Sequence, residues 1–307
     1  MSASSAVQRS KLSIWFQAVR PFAFTASMTP VIVGAVLAIP YPGEVQWALF
    51  PLVVICSLLF HAGTNVVSEY YDFKHGVDRV DTYGSSRVLV DGLMTGKEVL
   101  TGGILLFAVG FVLGLILVAF RGAPIFWLGV VGLLGGYFYT GKPIGYKYLA
   151  LGDFLVFALM GPLMVIGSYY VLTGDYSSSV LFVSLPVGFL VAAILHSNNL
   201  RDIVHDADAD VRTVANLIGL RAAKIEYYLL VGGAYLSVVL MVLTGIVSPW
   251  ALLVFLSVPP ALKNVRMISH ADLENVAAIA MIDVQTAQHH FLFGLLLTAG
   301  LAVSALV

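Results

Sequence analysis

Nine stretches of this chain, roughly 22–40, 46–68, 99–119, 123–140, 151–173, 180–200, 225–245, 248–266 and 287–307, are long and apolar enough to cross a lipid bilayer. One helical crossing needs about 20 mostly apolar residues. The runs lack the alternation of barrel strands and are too long for them, which leaves helices. Composition agrees: 59% of the 307 residues are hydrophobic and 11% charged, where a soluble domain carries about a quarter charged. The expected fold is all-α and integral to the membrane, nine transmembrane helices in one bundle. A polar tail over 1–12 precedes a single membrane domain over 13–307. No basic segment followed by a short apolar stretch and a small-residue cleavage site opens the chain, so no cleaved signal peptide is expected.

Charge placement orients the bundle. With the N-terminus inside, one side receives Arg9, Lys11, Arg20, Lys74, Arg79, Arg87, Lys97, Lys142, Lys147, Arg201, Arg212, Arg221, Lys224, Lys263 and Arg266, and the other only Arg121. Such asymmetry is the positive-inside pattern. It predicts a multi-pass protein of the inner (plasma) membrane with a cytoplasmic N-terminus. The formal charge of −1 gives no reason to expect nucleic acid as a partner. A single cysteine, Cys56, excludes an internal disulfide and any cysteine metal cluster.

Against this apolar background two acid-rich segments stand out, NVVSEYYDFKHGVD at 65–78 and NNLRDIVHD at 198–206. Each follows directly on an apolar run, and both fall on the cytoplasmic side. Ionisable residues are costly near hydrocarbon and there mark function. If the second span continues as a helix past Ser68, then Asn65, Ser68, Glu69 and Asp72 share one face at i, i+3, i+4 and i+7. Asp78 lies beyond Gly76, within reach of the same ligand through a chain reversal. In the second segment Asn199, Asp202 and Asp206 follow at i, i+3 and i+7, with Asn198 four residues before Asp202. Hard oxygen donors without cysteine or clustered histidine suit Mg²⁺, which keeps waters and bridges to phosphate. Arg201 and Arg212 flank the second segment, and guanidinium groups among carboxylates suit a metal–diphosphate complex. Arg87, Lys142 and Lys147 stand in the same cytoplasmic loops as further cations for phosphate. Asp206, Asp208 and Asp210 mimic the start of a calcium loop, but Val211 and Leu217 replace its glycine and glutamate. No phosphate-cradling glycine loop is present, and the histidines lack paired-ligand spacing.

Four stretches together resemble the UbiA superfamily of intramembrane prenyltransferases: AVRPFAFTASMTPVIVG at 18–34, HAGTNVVSEYYDFKHGVD at 61–78, YKYLALGDFLVFALMGPLMVIGSYY at 146–170 and ILHSNNLRDIVHDADADVRTVANLIG at 194–219. Within it they look like the branch that prenylates 1,4-dihydroxy-2-naphthoate in menaquinone synthesis. The resemblance implies that Glu69, Asp72, Asp78, Asp202 and Asp206 hold Mg²⁺. It implies that Asp72, Asp202 and Lys147 are catalytic, and that Arg87, Arg201, Arg212 and Lys142 meet the diphosphate of a polyprenyl diphosphate. Asn65, Ser68, Tyr139, Tyr148, Asn198 and Asn199 then line the substrates, with Tyr139, Tyr148 and Asn199 on the side of the aromatic acceptor. The polyprenyl tail lies among apolar helices, open to the lipid bilayer. Two positions depart from the pattern. Ser68 replaces the usual asparagine, and Asp210-Val211 replaces a Gly-Lys pair. A sister enzyme using 4-hydroxybenzoate, homogentisate or another acceptor shares these features. A secondary transporter is the non-enzyme alternative, but its ionisable residues belong near the bilayer midplane, whereas here they cluster at span ends.

Overall fold

A computed structural model describes residues 9–80, 82, 84–273 and 276–307. The chain is 78% helix, with no strand among the described residues. In chain order the helices are α1 (Lys11–Val19), α2 (Thr25–Val36), α3 (Phe50–Lys74), α4 (Gly96–Arg121), α5 (Ala123–Phe138), α6 (Gly152–Ala158), α7 (Met164–Thr173), α8 (Ser178–Arg201), α9 (Ile203–Asp208), α10 (Val214–Leu243), α11 (Val258–Ser269) and α12 (Ile282–Leu306). Of the tail expected over 1–12, residues 1–8 lie outside the described residues, and Lys11 already begins α1.

Among the described residues seven helical segments meet the length and apolarity of a membrane crossing, and α1 with Pro21–Val36 makes an eighth only as a pair bent by 41°. The remaining expected span is α5, of 16 residues. The nine expected runs therefore all fall on helices, but two are not straight, full-length spans. The bend has a local cause: Pro21 disfavours a helical conformation at the residue before it, and Arg20 takes a left-handed φ of 56°.

Local sequence sets the helix ends that matter for the site. Thr95 and Glu98 form a capping box at the start of α4, and Thr213 and Asn216 form one at the start of α10; each satisfies backbone N–H groups that a helix start leaves free. A π turn over Leu159–Leu163, containing Pro162, joins α6 to α7. There two helices meet backbone to backbone, since a Cβ on Gly161 would lie 2.5 Å from the Gly188 Cα. Small residues let backbones meet where lipid offers no hydrophobic drive between helices. The outer surface is apolar: Leu105, Val109, Val112, Ile116 and Phe120 on one face of α4 are all exposed.

Polar groups lie inside. His196 on α8 is fully buried. Its Nδ1 is 2.9 Å from Asp153 on α6 and its Nε2 is 2.8 Å from the Ala223 carbonyl on α10. Glu226 stands 3.8 Å from the same Nδ1, and Asn199 donates to the other Asp153 oxygen at 3.0 Å. The Ala223 carbonyl can only accept, so Nε2 carries a proton, and the imidazole ties three helices. Replacing His196 with leucine strands these acceptors, and losing one partner of a buried pair costs about 3 kcal/mol. We expect a lower thermal midpoint for His196→Leu in detergent; an unchanged midpoint would refute the tie.

Candidate active site

Helix α3 does continue past Ser68, to Lys74, and brings Asn65, Ser68 and Asp72 to the wall of one cavity of about 410 Å³. Helix α8 ends at Arg201. Asp202 leaves the helical conformation (φ −93°, ψ 12°) and α9 resumes at Ile203. Across this joint the Asp206 amide still bonds to the Asp202 carbonyl at 2.8 Å. Asn198, Asp202 and Asp206 thereby reach the same cavity as Asp72 and Asp78. The two acid segments, more than a hundred residues apart, share one site.

Lys147 joins them. Its Nζ donates to Asp72 Oδ2 at 2.7 Å, and the Tyr148 hydroxyl donates to Asp72 Oδ1 at 2.8 Å. The loop carrying both is held by backbone bonds from Lys147 to the Tyr139 carbonyl (2.8 Å) and from Ala150 to the Arg212 carbonyl (2.7 Å), the latter within an isolated bridge between Leu149 and Arg212. The segment after α9 thus presses Lys147 against the end of α3. The Tyr139 ring centroid lies 5.9 Å from the Lys147 Nζ.

The site is short of positive charge. Burial, then the neighbouring Asp72 charge, raise the Asp78 carboxyl from an ordinary 3.8 to about 8, with Lys147 opposing. Burial raises Asp206 to about 7, again opposed by Lys147 and assisted by Asp202 and Asp72. Desolvation works against the Lys147 ammonium, yet Asp72 and the other anions around it hold its pKa above the ordinary value. Crowded carboxylates on a cavity wall form a hard-oxygen donor set that a divalent cation fits.

Several expected residues stand elsewhere. Glu69 is 1% exposed; its Oε2 accepts the Ser86 amide at 2.9 Å, and Gln17 donates to the Ser86 carbonyl at 2.6 Å. It anchors the loop after α3 instead of lining the cavity. Arg201 is 1% exposed and is consumed by its neighbours: Nε and Nη2 grip Asp202 at 2.9 and 2.6 Å, Nη2 also reaches Asn198 at 2.5 Å, and Nη1 pairs with Asp283 at 2.9 Å. It positions Asp202 and is absent from the cavity wall. Arg87 turns to Asp91 at 2.9 Å, and Lys142 and Arg212 are exposed outside the wall. Tyr148 and Asn199 are likewise off the wall, held by Asp72 and Asp153. Tyr139, Asn65 and Ser68 do line it; Asn65 also donates to the Val19 carbonyl at 3.0 Å, and Ser68 accepts from Thr140 at 3.3 Å.

The cavity has members that sequence reasoning passed over: Arg20, Ser27, His61, His205 and Asp283. Arg20 adds a second cation to the wall, and its buried Nε has no hydrogen-bond partner among the described residues. The available signal was Arg20 directly before Pro21, a break that turns a basic side chain out of a helix. Below the acids the wall turns apolar through Phe60, Leu115, Val118, Phe126, Leu159 and Met164. An ionic mouth over a greasy chamber suits a ligand with an anionic head and a hydrocarbon tail.

The sequence profile of the UbiA prenyltransferase family matches residues 27–292. The chain is 34% identical over 294 residues to the 1,4-dihydroxy-2-naphthoate octaprenyltransferase of Bacillus subtilis (strain 168), covering 95% of this chain and 93% of that protein. It is 32% identical to the UbiA prenyltransferase domain-containing protein 1 homolog of Drosophila melanogaster, over 93% of this chain and 78% of that protein. The fold matches the apo structure of a UbiA homolog from Aeropyrum pernix K1 with TM-score 0.68 at 16% identity, covering 93% of this chain and 98% of that one. It matches a UbiA homolog from Archaeoglobus fulgidus bound to DMAPP and Mg²⁺ with TM-score 0.60 at 14% identity, covering 91% and 98%.

Proposed function

This chain belongs to the UbiA prenyltransferase family and is a prenyltransferase, and from that premise we propose that it moves a polyprenyl group from a prenyl diphosphate to 1,4-dihydroxy-2-naphthoate, with loss of carbon dioxide, giving demethylmenaquinol. The observation that carries this reading is the single cavity on which both acid segments meet. The naphthoate acceptor is supported by the Bacillus subtilis relative, whose similarity covers 95% of this chain.

Asp72, Asp78, Asp202 and Asp206 would hold Mg²⁺. Bound there, Mg²⁺ supplies charge neutralisation of the diphosphate leaving group. Lys147 and Arg20 face the phosphate oxygens, Lys147 kept charged and aimed by Asp72. The C–O bond of the allylic diphosphate breaks with its electrons leaving on the diphosphate. The apolar wall and the Tyr139 face keep water from the electron-poor carbon. A ring carbon of the acceptor bonds to it, and the carboxylate departs as carbon dioxide.

The same reading sets the topology: nine crossings, with the bent first pair and α5 each crossing once, in one membrane domain over 13–307. The N-terminus and the acid mouth face the cytoplasm of an inner (plasma) membrane, supported by the fifteen-to-one placement of basic residues. Incubating purified protein with Mg²⁺, a panel of prenyl diphosphates and candidate aromatic acids, then weighing the products, tests the activity. We expect prenylated, decarboxylated naphthoquinol; product from another aromatic acid alone would overturn the assignment.

Metal and protons should compete at this mouth. In the metal-free fold Asp206 and Asp78 keep their protons up to about 7 and about 8, while the unfolded chain releases them near 3.8. The unfolded state therefore binds fewer protons between those values, and the metal-free fold loses stability as pH rises through that window. Mg²⁺ requires the ionised carboxylates, so its stabilising shift of the melting temperature should grow from pH 6 towards pH 8.5. A shift independent of pH would contradict the charge assignment.

A further inference from the structure

Two side chains expected beside the acceptor are engaged elsewhere, Asn199 with Asp153 and Tyr148 with Asp72. The cavity wall offers another candidate deeper in. Along one face of α3, His61, Thr64, Ser68 and Asp72 follow at i, i+3, i+7 and i+11, and all four line the cavity. Thr64 returns its hydroxyl to the Phe60 carbonyl at 2.9 Å, and Ser68 takes the Thr140 hydroxyl. His61 differs from both. Its Nδ1 is 2.5 Å from Ser27 Oγ on α2, and the Phe24 ring leans on it with centroids 5.5 Å apart. Its Nε2 has no hydrogen-bond partner among the described residues, and it is not sealed in the protein interior. An imidazole fixed through one nitrogen, with the other unmatched on an apolar wall, is built for a polar ligand atom. A tie between α2 and α3 alone would not require the second nitrogen.

We propose that His61, oriented by Ser27, hydrogen-bonds a ring hydroxyl oxygen of a two-ring hydroxylated aromatic acceptor and so selects it over single-ring acids. This rests on the naphthoate reading above. At 1.5 Å of helix rise per residue, His61 lies about 16 Å below Asp72. A diphosphate held by Lys147 and Arg20 leaves the reacting carbon between these levels, and a fused two-ring acceptor spans from that carbon to His61 Nε2. At this depth Phe60 and Val53 are apolar, and the Ser57 and Thr64 hydroxyls return to the Val54 and Phe60 carbonyls, so a polar contact from His61 carries discrimination.

The test uses the full chain in detergent with Mg²⁺, geranylgeranyl diphosphate and 1,4-dihydroxy-2-naphthoate, and compares wild type with His61→Phe, His61→Gln and Ser27→Ala. We expect His61→Phe to lower kcat/KM for the naphthoate by about tenfold, as for one lost hydrogen bond, with KM for the diphosphate unchanged. His61→Gln, which keeps a polar terminus, should recover part of the loss, and Ser27→Ala should fall between. Should His61→Phe fail to fold, the glutamine and Ser27→Ala variants read the same split. A loss falling on the diphosphate KM, or no loss in any variant, overturns the proposal. A wild type that prenylates only single-ring acids removes the naphthoate reading and this inference together. Naphthoate turnover with indifferent variants removes the inference alone.

Discussion

Replacing Asp72 with alanine should reduce Mg²⁺-dependent prenyl transfer by about a thousandfold or more, the scale of removing a main stabiliser of a departing anion. Asp72 is where the site's connections cross: it faces the cavity, fixes Lys147 at 2.7 Å and receives Tyr148 at 2.8 Å. The alanine variant loses a carboxylate for the metal and the acceptor that aims the cation. Asp72→Asn separates the two roles, since its amide oxygen still accepts from Tyr148 but brings no charge. Both variants should lose the response to Mg²⁺, the alanine variant more completely. Activity in membranes, normalised to protein amount and titrated with Mg²⁺, is the measurement. Full turnover by Asp72→Ala would dismiss the metal site at these carboxylates.

What could be read from the sequence, and what could not, follows from the kind of information each residue carries. Carboxylates at the ends of apolar runs announce themselves because their burial needs a reason, and the runs fix helices whatever the packing. Helical spacing tells which residues share a face, but not what that face meets. Asn198 and Asn199 show this. By helical spacing the series 199, 202, 206 and the pair 198, 202 are equivalent, but the helix stops at Arg201 and Asp202 breaks its phase. Asn198 therefore follows Asp202 into the cavity, and Asn199 turns to Asp153 on α6. Arg201 looked like a phosphate ligand because it is a cation among acids; that same neighbourhood saturates it. Arg20 and His61 were hidden for the opposite reason. Each stands nearly alone in an apolar stretch, and only the bend before Pro21 and the packing of α2 on α3 bring them to the cavity.

Asp202 and Asp206, four residues apart on the same wall, should respond to alanine with opposite effects on the fold. Asp202 takes two hydrogen bonds from a fully buried Arg201. Removing it leaves that guanidinium, among the described residues, with Asn198, Asp283 and the Ala280 carbonyl. Breaking a buried pair from one side costs about 3 kcal/mol, so Asp202→Ala should lose prenyl transfer and lower the thermal midpoint of the metal-free protein. Asp206 has no side-chain hydrogen bond among the described residues, and burial disfavours its ionised form despite the attraction of Lys147. Its removal ends the cost of burying a carboxyl without a hydrogen-bond partner, so Asp206→Ala should lose Mg²⁺-dependent activity while the metal-free midpoint holds or rises. Thermal melts of both variants with and without Mg²⁺, beside their activities, decide the matter. Equal destabilisation by the two substitutions would mean that Arg201 does not depend on Asp202, and that the end of α8 is held by other contacts.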